Sequence, residues 1–205
     1  MNRRNFFNPV VAMIVATVAI VVLGVLIFSK TSTGTSTSSK KATIGNTAPD
    51  FTLPSTEDQT VTLSSFKGIR NVLIFFHEGL SCDPCMQQMP ELEKVSGEFE
   101  KMNVEVLYVT FDPVDQSKEA KNRFGIKKPI LSYNLAKTEV DYDLTNYSMD
   151  MGRRAGHTFV LVDTNGQIIW RKDYWPGLGH MVTGGTMFVK SNEIVEEVKK
   201  YLNKS

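Results

Sequence analysis

The chain has 205 residues, 41% of them hydrophobic, enough for one sizeable core and an appendage. Its 23 basic and 22 acidic residues leave a net charge of +1, which provides no electrostatic footprint for a nucleic-acid partner. Two cysteines are too few for a disulfide scaffold, and a single CxxC is half of a four-cysteine zinc site, so no structural metal is expected.

The appendage comes first. Pro9 to Phe28 is a run of 20 uncharged residues, mostly Val, Ile, Ala and Leu. At about 1.5 Å per helical residue it spans roughly 30 Å, the thickness of a bilayer's hydrocarbon core. Arg3 and Arg4 precede it, so residues 1–8 are expected in the cytoplasm and 9–29 as a single-pass anchor in the cell membrane. A cleaved signal peptide is the alternative. The run is longer than a usual signal-peptide core, no small-x-small cleavage site follows it, and no cysteine stands there for lipid attachment. Residues 30–43, with TSTGTSTSS at 31–39, read as a flexible tether. Residues 44–205 then form the domain, on the extracytoplasmic side.

Within that domain, Ala48–Leu53 and Gln59–Leu63 read as a short hairpin turning at Ser55–Asp58, and Ser64–Gly68 as one helical turn. Asn71–His77 is a predicted central strand, followed by a helix running to about Lys101. Val104–Phe111 is a second buried strand, Ser117–Phe124 a helix stopped by Gly125, and Ile130–Tyr133 a short strand. Glu139–Leu144 reads as a helical turn or two. Thr158–Asp163 and Gln167–Arg171 flank an Asn165-Gly166 hairpin signal, and Glu193–Leu202 is an amphipathic terminal helix. Strand, helix, strand, helix, antiparallel hairpin and terminal helix together predict an α/β fold: a central mixed sheet flanked by helices.

Cys82-Asp83-Pro84-Cys85, the only cysteines, fall where a predicted strand gives way to a helix. A sulfur at a helix N-terminus meets unpaired N–H groups and the positive end of the dipole, which favour its thiolate. Cys82 is therefore the candidate nucleophile, expected exposed. Cys85, one turn on and facing the core, is the candidate resolving thiol. A bridge across two intervening residues removes little loop entropy, so a redox couple is a better reading than a structural staple. Pro84 is tolerated in a first helical turn, while the Asp83 carboxylate repels a neighbouring thiolate and offsets part of the dipole's effect. His77 and Glu78, just upstream, either handle the Cys85 proton or are ordinary loop residues.

With these residues in place, the chain resembles the thioredoxin-like redoxins. In particular it is similar to the membrane-anchored TlpA-like thiol–disulfide oxidoreductases and their peroxiredoxin-related cousins. The likeness rests on Ala48-Pro49-Asp50-Phe51 with Leu53, Val61-Thr62-Leu63 through Lys67-Gly68, the Cys82–Cys85 motif, Pro90, and Thr158–Asp163 with Asn165-Gly166. It implies disulfide exchange through Cys82 and Cys85 with no separate cofactor and with protein thiols and disulfides as substrates; a reductive role outside the cytoplasm would also need a membrane thiol relay as redox partner. The departures are specific. Ser81 stands where thioredoxins have tryptophan, and Ala155-Gly156-His157 lacks their cis-proline. Phe75 and Gly79 replace the peroxiredoxin proline and hydroxyl, and the usual peroxiredoxin arginine would fall at Gly156, with Arg153 and Arg154 slightly upstream. His157 lies in the loop that the resemblance turns toward the dithiol. It would stabilise the thiolate, contact substrate, or simply satisfy local hydrogen bonds.

Two alternatives stand beside disulfide exchange. One is a two-cysteine thiol peroxidase; the other is a Sco-like copper-binding chaperone using both cysteines and a histidine, although Sco-type proteins space their cysteines more widely. Met86, Met89, Met149, Met151, Met181 and Met187 suit soft-metal chemistry but read first as core packing. Tyr142, Tyr147, Trp170, Tyr174 and Trp175 read as core and hairpin packing, and His180 lies in a Gly-rich stretch with no readable motif.

Overall fold

The apolar run Val72–Phe76 lies in the middle of the sheet, in strand β3 (Asn71–His77), where it is buried on both faces. The computed structural model describes residues 41–133, 137–147, 155–174 and 187–204. The expected anchor at 9–29, residues 1–8 and the tether up to residue 40 lie outside the described residues. Among those described, no helix is long and apolar enough to cross a membrane. Ala42, inside the stretch read as tether, is already buried and donates its N–H to the Asp141 carbonyl at 2.7 Å.

The elements follow in the expected order. Strands β1 (Thr52–Pro54) and β2 (Thr60–Thr62) pair antiparallel, and a 3-10 turn covers Leu63–Phe66. After β3 come helices α1 (Asp83–Lys94) and α2 (Ser96–Lys101), strand β4 (Val104–Thr110), helix α3 (Val114–Phe124) and strand β5 (Ile130–Ser132). Helix α4 (Lys137–Asp141), a 3-10 turn at Thr145–Tyr147, strands β6 (Thr158–Val162) and β7 (Ile168–Asp173), and helix α5 (Ser191–Leu202) complete the domain. The sheet has five strands in the order β5-β4-β3-β6-β7. β3, β4 and β5 are parallel, while β6 runs antiparallel to β3 and β7 antiparallel to β6. This is the mixed α/β sheet that the sequence predicts.

Alternation within the strands divides the core in two, because successive side chains leave opposite faces. Leu73, Phe75, Val106, Tyr108, Phe159 and Leu161 meet Cys85, Met86, Met89 and Leu92 of α1 and Ile194 and Val198 of α5. Val72, Ile74, Phe76, Leu107, Val109, Val160 and Val162 meet Phe51, Leu53, Leu63 and Tyr142 on the other face. Both faces are covered, which is why these strands read as continuous apolar runs. Met86, Met89, Met187, Trp170 and Tyr142 are core residues, as expected; Met149, Met151, Met181 and Trp175 lie outside the described residues, as does the side chain of Tyr147.

Two local expectations need correction. The helix expected to run unbroken to Lys101 divides at Val95, whose φ and ψ of −108° and 17° leave the helical region before the weak helix formers Ser96 and Gly97. Helix α3 begins at Val114, three residues before the expected start, directly after Pro113 with Asp115 in its first turn. The late hairpin forms at Asn165-Gly166 as expected, with β6 and β7 antiparallel. Only Gly166 has positive φ there, and the Asp163 carboxylate accepts the N–H groups of Asn165 and Gln167. An Asp at the head of the turn supplied the acceptor that a mirror-image turn does without.

Candidate redox site

The site is built at the end of β3. His77 ends the strand, and Gly79–Ser81 make a 3-10 turn that hands the chain to Cys82 at the N-cap of α1. Three contacts fix the turn. The Gly79 N–H donates to His77 Nδ1 at 3.1 Å, the Leu80 N–H donates to Asp112 Oδ2 at 2.7 Å, and the Cys82 N–H donates to the Gly79 carbonyl at 3.0 Å. Gly79 is required twice over. Its φ is +75°, and a Cβ there would lie 2.0 Å from Asp112 Oδ2.

Cys82 has an extended backbone, and its Sγ accepts the Cys85 N–H at 3.2 Å, so the sulfur itself caps the helix. The opened first turn directs its dipole at this sulfur. Pro84 costs nothing there, since its missing N–H has no helical acceptor. Asp83 is exposed, and Pro90 sits inside α1, as the resemblance implies. Cys82 and Cys85 form a disulfide with their Cα atoms 5.2 Å apart. Cys85 is fully buried in the core, as expected. Cys82 corrects the reading from sequence, because it is only 4% exposed rather than open to solvent. A helix N-terminus predicts electrostatics, not cover; the fold encloses this one.

His157, immediately before β6, comes to the pair across 72 residues of sequence, with Nδ1 3.5 Å from Cys85 Sγ. The Tyr174 N–H donates to the His157 carbonyl at 2.9 Å and holds its backbone. Its ring packs on Phe75, with centroids 4.6 Å apart, and meets the Tyr174 ring edge-on. His77 stacks on the same Phe75 at 5.2 Å. Both histidines are fully buried, and among the described residues neither Nε2 has a hydrogen-bond partner. Burial pushes His77 down to about 3. Burial, then repulsion from His77, does the same to His157. Both imidazoles are therefore neutral at neutral pH. Because His77 Nδ1 accepts the Gly79 N–H, the His77 proton sits on Nε2.

Of the residues singled out from sequence, Cys82, Cys85 and His157 come together. His77 serves the turn, with Nδ1 committed to Gly79. Glu78 is buried beside it, its carbonyl accepting from Ser81 Oγ at 3.4 Å. Gly156 is buried in the loop that carries His157. Arg153, Arg154 and His180 lie outside the described residues. Sequence reasoning missed Asp112, which follows a strand like any loop carboxylate and announces nothing of its hold on Leu80, and Phe75, the aromatic floor shared by both histidines. Cys82, Cys85 and His157 are also the donors that a metal would find here, their ligand atoms within 4.8 Å of one another.

A dithiol capping the helix after the first central strand of such a sheet defines a thioredoxin-like redoxin. Solved structures share the fold. A PrxQ mutant of Xylella fastidiosa aligns with a TM-score of 0.63 at 18% identity, over 78% of this chain and 98% of its own. A putative protein disulfide isomerase of Bacteroides thetaiotaomicron aligns at 0.57 and 21%, over 79% of this chain and 91% of its own. Residues 44–171 match the AhpC/TSA family, and the chain belongs to it. Alkyl hydroperoxide reductase E of Mycobacterium tuberculosis is 30% identical over 136 residues, 65% of this chain and 87% of that protein. Thiol-disulfide oxidoreductase ResA of Halalkalibacterium halodurans is 29% identical over 129 residues, 62% and 67% of the two chains. The chain is thus a redoxin enzyme whose own cysteines carry the chemistry.

Proposed function

We propose that this redoxin is a membrane-anchored, extracytoplasmic thiol–disulfide oxidoreductase. The observation that carries the reading is the Cys82–Cys85 disulfide at the N-terminus of α1 with His157 Nδ1 beside the inner sulfur. The likeness to ResA supports disulfide exchange as the chemistry. In the reducing direction, the Cys82 thiolate attacks a substrate disulfide, and one substrate thiolate leaves. The mixed disulfide is then resolved by Cys85, which attacks Cys82 Sγ and expels the second substrate thiolate. Two electrons pass from the dithiol to the substrate, and two substrate thiols form. His157 Nδ1 takes the Cys85 proton during resolution and passes it to the departing thiolate. Burial disfavours an isolated imidazolium, so the proton rests on His157 only while a thiolate is beside it.

The apolar stretch 9–28 and the arginines before it support an anchor with the domain outside the cytoplasm. There the reducing direction needs electrons from a membrane thiol relay, and the tether keeps protein partners at high local concentration. Trapping with Cys85→Ser tests the reading. The variant should hold a client protein in a mixed disulfide through Cys82 that added reductant releases. Absence of any such adduct, with the wild type failing to reduce insulin, refutes it.

A second reading, thiol peroxidase, is favoured by the near-complete burial of Cys82, which a small peroxide tolerates better than a protein disulfide does, and by the likeness to alkyl hydroperoxide reductase E. Cys82 would become a sulfenic acid as the peroxide leaves as alcohol, and Cys85 would condense with it, releasing water. Gly79 at the position of the peroxiredoxin hydroxyl counts against it. Peroxide consumption by the reduced chain, faster than its reduction of insulin, would make this the function.

A further inference from the structure

We propose that the reduced form of this site binds one Cu(I) ion through Cys82 Sγ, Cys85 Sγ and His157 Nδ1. It goes beyond disulfide exchange by assigning the same dithiol a second, metal-bound state. The three donor atoms already lie within 4.8 Å of one another, though they come from a helix cap, the first turn of that helix and a loop 72 residues away. All three residues are buried, so their geometry is held by packing rather than by solvent-exposed loops. His157 is fixed by its carbonyl's bond to Tyr174 and by the ring of Phe75, which leaves its Nδ1 facing Cys85 Sγ at 3.5 Å.

The donor set selects the ion. Two thiolates and an imidazole are soft ligands, and a closed three-donor arrangement suits Cu(I), whereas Zn(II) takes four ligands. Two thiolates and Cu(I) leave one net negative charge. It would sit at the N-terminus of α1, where the dipole and the Cys85 N–H stabilise it. Metal and disulfide exclude one another. A dithiol reductant must first supply two electrons and two protons to open the Cys82–Cys85 bond. Cu(I) then displaces both thiol protons to solvent without changing its own oxidation state. Bound copper would hold the pair reduced, because it binds that form alone.

The test uses the full chain in detergent, reduced, freed of reductant without air, and titrated with Cu(I) against a chromophoric Cu(I) chelator. The reduced chain should withdraw one Cu(I), the disulfide form none, and Cys82→Ser and Cys85→Ser little. His157→Ala should weaken retention at least tenfold, and His157→Met, which returns a soft donor, should recover part of it. X-ray absorption should show two sulfur neighbours and one nitrogen. A reduced chain that withdraws no Cu(I), retention unchanged in His157→Ala, or a preference for Zn(II) in a four-ligand site would each overturn the proposal. Insulin reduction measured on the same preparation separates the two readings: exchange without Cu(I) retention removes the metal site alone, and retention without exchange removes the oxidoreductase alone.

Discussion

His157 and Asp83 act on different sulfurs of the pair. His157 faces Cys85, so its loss should slow resolution rather than the first attack. In His157→Ala, release of a preformed mixed disulfide should fall by roughly 10²-fold and depend more steeply on pH, as solvent hydroxide replaces the internal acceptor. Stopped-flow release of a fluorescent thiol from Cys82 would show this, and an unchanged rate would remove His157 from the reaction. Asp83 begins α1 at the surface, beside Cys82. Its carboxylate repels the thiolate, so Asp83→His should make Cys82 more acidic. Thiolate absorbance against pH checks this; an equal or less acidic Cys82 in the variant contradicts it.

At the scale of elements, the turn between β3 and α1 matters more than its length suggests. Asp112, beyond the end of β4, holds the Leu80 N–H and fills the space beside Gly79. Asp112→Ala should therefore destabilise the domain by about 1–3 kcal/mol through an unpaired donor, with Asp112→Asn recovering most of the loss. Chemical denaturation would measure both, and equal losses in the two variants would count against the hydrogen bond. Gly79→Ala should be worse, since no side-chain movement relieves its φ. The break at Val95 is a smaller matter. Nothing in a run of helix-compatible residues showed that the chain would leave α1 one residue before Ser96-Gly97.

Over the whole molecule, the two buried histidines link stability to pH. Their folded values lie near 3, while an unfolded histidine titrates near 6.5. Between these values the unfolded chain binds more protons than the folded one, so stability is full above about pH 6.5 and falls as the solution is acidified. Each histidine contributes a slope of up to about 1.4 kcal/mol per pH unit, strongest below 6.5. Denaturation midpoints between pH 7 and 5 should fall with a slope approaching two protons in the wild type and one in His157→Phe. A flat profile would mean that both rings are solvated.

Much of this fold could be read from residue order alone. Val72–Phe76 and Val106–Val109 are apolar runs, as strands covered on both faces must be, and the turn residues between them set the order of elements. The CxxC was equally plain, because its chemistry follows from two sulfurs one helical turn apart at a strand–helix junction. Local pattern did not place the groups that act on those sulfurs, and only the family resemblance turned the loop of His157 toward them. His157 reaches Cys85 only because β6 pairs with β3, Asp112 reaches Leu80 only because β4 lies on its other side, and Cys82 is covered by packing that no local pattern encodes. Periodicity and motifs report forces between near neighbours along the chain. Proximity across a sheet depends on how every strand is ordered, so it appears only once the core has closed.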